Sequence, residues 1–352
     1  MKHIFALLFL FSCYIKQVYT DIDGIIIDYQ TGYVDGVPLP GDLASLVFAT
    51  NVGRTIAQIL QLNISAQGSS VDMIDPRDAT HPCHTWAQIS FTLTGLFKSN
   101  TSGECNDYAR AAIRAGFHDA GTWSSTLAAA GQDYGGADGS IYLFGETSRP
   151  SNKGLEAVVN TLGQLAKKYK VRVADMIQFA AAHAVVTCPL GPRMRTFIGR
   201  KEATQAAPDG LLPSATSDAE TLLELFFDKN IGPIDLISLV GAHSVSRQFS
   251  FNTTRAGESQ DSTPGVWDTN FYEDTIRSDF NAGSGILTFP SDKALSLYGP
   301  LQAEWNGYAV RQEDWIEHFS RAYLRLSLAG VNQIQDMIEC TDALPLPITS
   351  FP

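Results

Sequence analysis

Apolar residues recur at helical spacing along most of the chain from Cys83 onward. Between positions 155 and 166 they fall at i, i+3, i+4, i+7, i+10 and i+11, which puts them on one face of an amphipathic helix. A second periodic run, from Trp315 to Leu328, predicts another long helix. The apolar positions of the first run are Leu155, Val158, Val159, Leu162, Leu165 and Ala166.

Two local signals indicate where further helices begin. Ser217 stands three residues before Glu220, ahead of an apolar run, and this spacing predicts a capping box with Ser217 as the N-cap. Pro233 suits the first turn of a helix, because proline has no amide hydrogen to leave unpaired there. We expect that helix to run through Val240 to His243.

Segments rich in glycine and proline separate the helical runs at 189–192, 207–213 and 281–290. Because no strand-turn-strand series is visible, we expect a mainly α protein with one large domain over residues 83–345 and a tail at 346–352. Residues 21–82 form an N-terminal extension, with a short strand predicted at 25–27 and loosely helical spacing from Leu43 to Leu62. This extension is either processed or packed on the main domain.

Residues 1–20 have the pattern of an export signal. Lys2 and His3 precede an almost wholly apolar stretch at 4–14, and Val18 and Thr20 occupy the −3 and −1 positions before Asp21. The stretch is shorter than the ~20 apolar residues that cross a bilayer. The alternative is a short buried helix. The pattern predicts a secreted protein with no membrane attachment once the signal is removed.

Composition narrows the class of protein. Of 352 residues, 44% are hydrophobic, which excludes a wholly disordered chain. The 37 Asp and Glu residues outnumber the 25 Lys and Arg residues, and the net charge of −12 argues against a nucleic-acid-binding protein. Length alone allows two domains or one large one.

Five cysteines are present, and Cys13 would leave with the signal. An even number in an exported chain suggests two disulfides, and four cysteines allow three pairings. The remaining cysteines are Cys83, Cys105, Cys188 and Cys340. Acceptor triplets for N-linked glycans, usable on the secretory route, begin at Asn63, Asn100 and Asn252.

Two adjacent clusters carry candidate chemistry. On a helix, Arg114, Phe117 and His118 would share one face, although a surface cation beside a core phenylalanine would look the same. The segment 135–140 follows, with two glycines that allow a tight bend and with Asp138 as a hard oxygen ligand. Together with Asp119 upstream it suits Ca²⁺, and the alternative is an ordinary Asp/Gly turn.

Three further positions are ambiguous when taken singly. His243 ends an apolar helix in the segment 241–245, where a lone histidine is more often a satisfied core residue than a ligand. The segment 261–268 offers two carboxylates, a hydroxyl and a bent backbone, which suggest a second hard-cation site. His183 has no carboxylate or cysteine beside it, so we interpret it as a core or pocket-wall residue.

Taken together and in order, these motifs resemble the secreted fungal haem peroxidases, class II of the plant-type peroxidase superfamily, from Cys83 to Pro345. The resemblance implies a two-lobed helical domain with haem b between distal and proximal helices. The motifs that carry it are the stretches 114–119, 135–140, 152–155, 188–192, 199–201, 208–213, 241–244 and 261–268.

The resemblance implies a role for each residue of the haem pocket. His118 would be the distal general base, Arg114 would stabilise charge as the O–O bond breaks, and Phe117 would pack over the haem. Asn152 would accept from the His118 Nδ1–H, which leaves Nε2 free to act as base. His243 would be the proximal ligand of the haem iron.

The same resemblance implies two Ca²⁺ ions and a disulfide pairing. Cys105 would pair with Cys188, and Cys83 with Cys340. The distal ion would be held by Asp119, the Gly136 carbonyl, Asp138 and Ser140. The proximal ion would be held by Ser244, Asp261, Thr263, the Val266 carbonyl and Asp268.

The chain departs from the family on the proximal side. Family members hydrogen-bond the proximal histidine to an aspartate on a late helix, and counting along that helix places His318 there. A neutral imidazole would make His243 a weaker donor to iron and raise the ferric/ferrous potential. Asp314, one turn away, would polarise His318, replace it as the partner of His243 after a small register shift, or be a solvated surface acid. Gln260 replaces a family aromatic below the haem and makes the proximal pocket more polar.

The specialised substrate sites of the family are not predicted here. Of the three positions that match the carboxylates of a Mn²⁺ site, Asp107 is acidic, but Ala111 and Phe249 are not. Ser238 occupies the position of the surface tryptophan of lignin-oxidising members. Small phenols or similar donors at the haem edge remain as substrates. Trp123, Trp305 and Trp315 could serve as redox-active surface aromatics, but packing is the expected role of each.

The sequence thus predicts a monomeric, extracellular haem peroxidase that reduces hydrogen peroxide and oxidises small donors. One alternative is a haem-binding protein whose catalysis is weak or lost because of His318 and Gln260. Another is a calcium-stabilised secreted domain without haem. A metallohydrolase is disfavoured, because the chain has neither a His-x-x-x-His pair nor a cysteine cluster.

Overall fold

Short strands open the described part of the chain, and helices make up most of the rest. The computed structural model describes residues 36–99, 102–277 and 285–351, together with the backbone of three strands upstream. Strands β1 (Tyr19–Thr20), β2 (Ile26–Asp28) and β3 (Tyr33–Val34) pair antiparallel in that order. The strand predicted at 25–27 is therefore confirmed, displaced by one residue. The predicted signal core and Asn100 lie outside the described residues.

The helices of the described residues confirm the mainly α class. In chain order they are α1 Asn51–Leu60, α2 His84–Phe97, α3 Asp107–Ala120, α4 Ser125–Ala129, α5 Ser140–Leu143, α6 Glu156–Tyr169, α7 Val173–Thr187, α8 Ala219–Phe227, α9 Pro233–Val240, α10 Asn270–Arg277, α11 Pro290–Ser296, α12 Gln302–Tyr308 and α13 Gln312–Leu326. A further antiparallel pair joins β4 (Phe197–Ile198) to β5 (Ile338–Glu339).

Helix α7 lies at the centre of the core, and every one of its residues is buried. Most of its residues are apolar or small, as is typical of a helix that is buried on all faces, and the run 180–182 is three alanines. These small residues let α3 approach closely: a Cβ added at Gly116 would lie 2.7 Å from the Ala181 Cβ and 2.5 Å from the Tyr323 hydroxyl. Helix α7 thereby fixes the position of α3, which carries His118.

The two long periodic runs are confirmed as α6 and α13, each with its apolar face buried. Pro233 is the first residue of α9, as predicted. That helix ends at Val240, however, and His243 lies in a separate 3-10 turn, Gly241–Val245. The predicted capping box at Ser217 is wrong, because Asp218 directly precedes the helix and its Oδ1 accepts from Thr221 N at 2.7 Å.

Both predicted disulfides are present. Cys105 is bonded to Cys188, and Cys83 is bonded to Cys340, 257 positions further along the chain. The Cys340 amide also donates to the Thr196 carbonyl at 2.8 Å, which continues the β4–β5 pairing beyond the strands. The second bridge therefore connects the start of α2 to the end of the helical region.

Residues 36–82 pack on the helices. The Arg325 guanidinium of α13 donates to the Pro38 carbonyl at 2.7 Å, and Gly68 N donates to the Arg193 carbonyl at 2.7 Å. Glu317, also on α13, accepts from Ala66 N at 2.7 Å. Leu43 and several apolar residues of α1 belong to the common core. Within the described ranges, no helix is long and apolar enough to cross a membrane.

Candidate active site

Helix α3 presents Arg114, Phe117 and His118 together, as the spacing predicted. Asn106 begins this helix by accepting from the amides of Tyr108 and Ala109 at 3.0 and 3.1 Å. One turn separates Arg114 from His118, and Arg114 Nε donates to His118 Nε2 at 3.1 Å.

The proton on the His118 ring is placed by Asn152. Asn152 Nδ2 donates to the Glu146 carbonyl at 2.9 Å, so its Oδ1 faces His118 Nδ1 at 2.7 Å. Nδ1 therefore carries the hydrogen, and Nε2 keeps its lone pair. Burial and the neighbouring Arg114 charge lower the pKa of His118 to about 3, so the ring is neutral and can accept a proton at ordinary pH.

Arg114 is held at both ends of its guanidinium. Nη1 donates to the Lys153 carbonyl at 3.0 Å, and Nη2 donates to the Ser151 carbonyl at 2.9 Å. The bonds fix a positive charge beside His118 Nε2. A preorganised cation of this kind can stabilise negative charge that develops during a reaction.

Phe117 lies beside this pair. Its half-buried ring stacks on Phe226 of α8 with a centroid separation of 5.9 Å, and it meets the His118 ring edge to face at 5.6 Å. This packing holds both rings of α3 in place.

His243 stands in the turn that follows α9. Its Nδ1–H donates to Asp292 Oδ2 at 3.0 Å, and Asp292 is buried near the start of α11. The ring lies between Phe271 and Phe289, each with its centroid 5.6 Å away. No partner of His243 Nε2 is found in the described part of the chain, and 31% of the side chain is exposed. A histidine oriented by a carboxylate with its second nitrogen open is a typical metal ligand.

The prediction that His318 accepts the His243 Nδ1–H is wrong, because Asp292 occupies that role. His318 is buried elsewhere, with its Nδ1 2.7 Å from the Tyr308 hydroxyl. The expected rise in potential thus loses its basis. Counting along α13 identified a real late helix, but the carboxylate comes from α11. A useful signal was available in Pro290-Ser291-Asp292, an acid in the first turn of a helix begun by proline.

The two other proximal candidates differ in position. Asp314 forms an ion pair with Arg311 at the surface, which matches its interpretation as a solvated acid. Gln260 is buried, and its Oε1 accepts from Ser246 Oγ, which also lies 3.2 Å from the His243 carbonyl. Gln260 Nε2 has no hydrogen-bond partner among the described residues. Gln260 therefore adds a polar group next to the turn that carries His243.

The predicted distal cation ligands converge directly after His118. Asp119 Oδ2 accepts from Gly139 N at 3.0 Å, and Asp138 Oδ1 accepts from Ser140 N at 2.9 Å. Burial, together with the Asp138 charge, raises the pKa of Asp119 well above its usual range, and burial raises the pKa of Asp138. Ser140 Oγ is buried without a partner in the described residues. The Gly136 carbonyl lies in the same bend, where it accepts from Asp138 N at 2.8 Å.

Of the predicted proximal ligands, Ser244 directly follows His243, and Asp261, Thr263 and Asp268 lie together further along the chain. Thr263 Oγ1 lies 2.8 Å from both Asp261 Oδ1 and Asp268 Oδ2. Burial and the Asp268 charge raise the pKa of Asp261 to about 7. The Ser244 hydroxyl and Asp261 Oδ2 are buried, with no partner in the described ranges. The Val266 carbonyl accepts from Asp268 N at 3.1 Å.

Both sets fit a hard cation. Unpartnered buried oxygens and adjacent buried carboxylates are unfavourable unless a positive charge joins them. No group of three His, Cys, Asp or Glu side chains converges in the described residues, so each set needs hydroxyl and carbonyl oxygens besides its two carboxylates. Mixed oxygen ligands of this kind suit Ca²⁺.

Other candidates lie apart from these sets. His183 is fully buried and bonded to the Ser90 carbonyl at 2.9 Å, which confirms it as a core residue. Ser238, at the position matched to the family's surface tryptophan, is fully buried in this chain, with its Oγ 2.8 Å from the Tyr308 hydroxyl. Asp107 is paired with Arg110 at 2.8 Å. Trp305 and Trp315 are core residues, as expected, and Trp123 Nε1 donates to Asp133 at 3.0 Å.

The sequence matches the family described as Peroxidase over residues 96–311. It is 30% identical over 272 residues to versatile peroxidase VPS1 of Pleurotus eryngii, covering 73% of this chain and 72% of that protein. It is 33% identical over 247 residues to a low-redox potential peroxidase of Taiwanofungus camphoratus, covering 66% and 74%. It is 34% identical over 260 residues to ligninase LG6 of Phanerodontia chrysosporium, covering 69% and 70%.

Proposed function

Since the chain belongs to the fungal class II peroxidases of the plant-type superfamily, we propose that it is a secreted enzyme that reduces hydrogen peroxide and oxidises small phenols or similar donors at the haem edge. The observation that carries the proposal is the hydrogen-bonded series Arg114–His118–Asn152. It supplies a neutral base, a fixed proton on the opposite nitrogen and an adjacent cation.

His118 Nε2 acts as the proton carrier. An incoming peroxide molecule replaces Arg114 Nε as the hydrogen-bond donor to Nε2, which takes the peroxide proton and returns it to the departing oxygen. Asn152 keeps the Nδ1–H in place throughout, so the ring does not change tautomer. Arg114, anchored by two carbonyls, stabilises the negative charge on the departing oxygen.

His243 is the residue that would hold the haem iron, through its Nε2 atom. When bound, haem would supply the redox-active iron that takes up the two oxidising equivalents of hydrogen peroxide. Asp292 accepts the Nδ1–H and makes His243 a stronger electron donor to that iron, which favours O–O cleavage over simple binding. This pairing argues against the alternative of a haem-binding protein with weak or lost catalysis, because that alternative relied mainly on His318 as the partner of His243.

Two Ca²⁺ ions complete the proposal. The distal set is Asp119, Gly136, Asp138 and Ser140, and the proximal set is Ser244, Asp261, Thr263, Val266 and Asp268. Each set is supported by a buried hydroxyl that has no partner among the described residues, on Ser140 and on Ser244. Residues 1–20 would be removed during export, and Asn63 and Asn252 would be available to glycans.

The side chains at the positions that match the family's Mn²⁺ ligands support this donor class. Asp107 is engaged with Arg110, Ala111 offers no ligand, and Phe249 is 59% exposed and apolar. An apolar ring suits a phenolic donor better than a metal ion.

The test uses the secreted protein loaded with haem, hydrogen peroxide and a small phenol. His118→Ala should lower the peroxide reaction rate by about 10²–10⁴, the typical contribution of a positioned acid–base group. His84→Ala is the matched control, because this histidine at the start of α2 bonds to Gln88. Equal turnover by the His118→Ala variant and the unmodified protein would refute the proposal.

A further inference from the structure

The chain that follows the turn of His243 folds back on itself as a hairpin, residues 247–259. Arg247 pairs antiparallel with Ser259 across it. Successive side chains of an extended chain point to opposite sides, so Arg247 and Phe249 share a side that Gln248 does not. Gln248 is 5% exposed, whereas Phe249 is 59% exposed and Arg247 is exposed with it. The hairpin therefore presents a cation and a phenyl ring together on its outer face.

Neither of these two side chains has the partner that its neighbours have. Arg247 forms no ion pair within the described ranges, whereas Arg255 of the same hairpin is paired with Glu258. Phe249 meets no other aromatic ring among the described residues, whereas Phe251 packs edge to face on another ring at 5.1 Å. The outer face thus combines an unpaired positive charge with an apolar ring that is open to a ligand.

A second guanidinium group lies close to Arg247. Arg110 stands on α3, one turn before Arg114 and on the same face, and its Nε donates to the Pro264 carbonyl at 2.9 Å. Burial lowers the pKa of Arg110, and the Arg247 charge lowers it further, because the two guanidinium groups are neighbours. The outer face of the hairpin therefore lies near the face of α3 that carries Arg114.

The two acids whose charges act on Arg110 have partners of their own. Arg110 Nη1 donates to Asp107 Oδ1 at 2.8 Å, and Glu104 Oε2 accepts from the Ser102 hydroxyl at 3.0 Å. Neither acid forms an ion pair with Arg247. In a chain with a net charge of −12, the positive charge of Arg247 is thus left for a ligand.

A cation two positions from an exposed ring favours an anion with an apolar body. Side chains at i and i+2 of an extended chain leave it about 6.5 Å apart, a span that one aromatic ring with an attached carboxylate can cover. The carboxylate matches the planar fork of the Arg247 guanidinium, and the ring packs on Phe249. A neutral phenol would leave Arg247 unused, and a metal cation would be repelled by it.

We propose that Arg247 and Phe249 form a binding site that selects phenols carrying a carboxylate, the hydroxybenzoate class, as donors. Arg247 binds the carboxylate, Phe249 packs on the ring, and Arg110 adds positive potential while it holds Asp107 in an ion pair. This inference rests on the proposed function and deepens it, because it names the charge of the donor.

The experiment compares 4-hydroxybenzoate with its neutral methyl ester as donors for the haem-loaded protein and hydrogen peroxide. At about pH 6 the acid is ionised, since a carboxyl group ordinarily has a pKa of about 4. The KM of the acid should be lower than that of the ester by up to about fivefold, the usual strength of an exposed ion pair. Added salt should raise the KM of the acid and leave that of the ester unchanged.

Variants separate the charge from the ring. Arg247→Gln should raise the KM of the acid by up to about fivefold with little change in kcat, and Arg247→Lys should keep part of the preference for the acid. Phe249→Ala should raise the KM of both donors. Arg77→Gln is the matched control, because it removes the same charge from an exposed side chain that contacts Asp75.

A binding measurement makes the test independent of turnover. Calorimetric titration of the haem-loaded protein with 4-hydroxybenzoate, without peroxide, should show weaker binding to Arg247→Gln than to Arg77→Gln. Equal KM values for acid and ester, or a preference for the acid that survives in Arg247→Gln, would refute this inference alone. If neither donor is turned over, the proposed function fails, and equal binding of the acid by both variants would overturn this inference as well.

Discussion

In each of the two central histidines, one neighbouring side chain holds the hydrogen on Nδ1 and thereby leaves the lone pair on Nε2. Asn152 accepts from His118 and leaves a base, whereas Asp292 accepts from His243 and leaves a ligand nitrogen. The amide carries no charge, and its hydrogen bond raises the pKa of His118 by less than burial and the Arg114 charge lower it. The carboxylate is charged and increases electron donation by His243. Identical side chains thereby acquire different chemistry.

Replacing Asn152 by alanine should slow the reaction with hydrogen peroxide. Without the Oδ1 acceptor, the ring can place its hydrogen on Nε2, where it no longer acts as a base. The rate should fall by no more than the loss in His118→Ala, about 10²–10⁴. Stopped-flow absorbance under excess peroxide measures this rate. An unchanged rate constant would show that Asn152 does not control the tautomer.

Replacing Asp292 by asparagine should raise the ferric/ferrous potential of the haem-loaded protein. A neutral acceptor at Oδ2 makes His243 a weaker donor to iron, which stabilises the reduced state. Spectroelectrochemical titration measures the potential. His318→Gln is the control and should leave the potential unchanged, because His318 bonds to Tyr308. A shift in the control and none in Asp292→Asn would reverse the assignment.

Contacts between residues could be predicted where the two residues are close along the chain. Arg114 and His118 meet because they are one helical turn apart. The partner of His243 comes from a helix 49 positions away, and no periodicity in the sequence records that contact. The family resemblance therefore implied a partner at Nδ1, but only the packing of α11 against the turn identified Asp292.

Among the elements, the contact between α3 and α7 depends on the absence of a side chain at one position. Gly116 faces Ala181 and the Tyr323 hydroxyl at distances that leave no room for a methyl group. The Gln178 amide, on the same face of α7, donates to the Gly116 carbonyl at 3.0 Å. The helix that carries His118 is therefore seated by close backbone contact.

Replacing Gly116 by alanine should lower the free energy of unfolding by about 1–3 kcal/mol, the usual cost of overpacking a core. Chemical denaturation followed by circular dichroism measures the change. Gly95→Ala in α2 is the matched control, because nothing lies within 4 Å of the added methyl group. The control should be neutral or stabilised by up to about 1 kcal/mol. Equal stability of both variants would contradict this account of the interface.

Helix bodies were more predictable than helix ends. The apolar stripe of α6 predicts a helix whatever surface the stripe packs against. The N-cap of α8, in contrast, depends on local backbone geometry. Ser217 and Asp218 are both good caps, and the chain uses the one next to Ala219. His243 likewise falls outside α9, because the chain tightens into a 3-10 turn after Val240.

Over the whole molecule, the two cation sets stand in the same relation to the two histidines. Asp119 directly follows His118, and Ser244 directly follows His243. An ion in either set would be held by a residue that is joined to the reactive histidine by one peptide bond. Loss of the ions should therefore loosen both sides of the haem pocket at once.

Removing calcium with a chelator should lower activity and melting temperature together. At a free Ca²⁺ concentration 100 times the Kd, one bound ion stabilises the folded protein by about 2.7 kcal/mol. A chelator would remove that contribution. Calorimetry and phenol turnover on the same samples measure the two effects. Adding Ca²⁺ back is the control and should restore both. Unchanged activity after complete removal would refute the assignment of these ligands.

The position of residues 36–82 was left open by the sequence. Several of their polar contacts use backbone groups, such as the Pro38 carbonyl and the Gly68 amide, which do not depend on the side chain. Such contacts produce no compositional signal, so the sequence could not decide between processing and packing. The disulfide pairing was implied by family motifs, since cysteine spacing alone allowed three arrangements.

The Cys83–Cys340 bridge makes the intervening chain a closed covalent ring. A single peptide cleavage anywhere between these two cysteines would open the ring without separating it into pieces. A protein cut once, in an exposed loop such as that around Gly131, would therefore migrate as one molecule until the bridge is reduced. Residues 36–82 lie before Cys83, outside this ring, and do not share this protection.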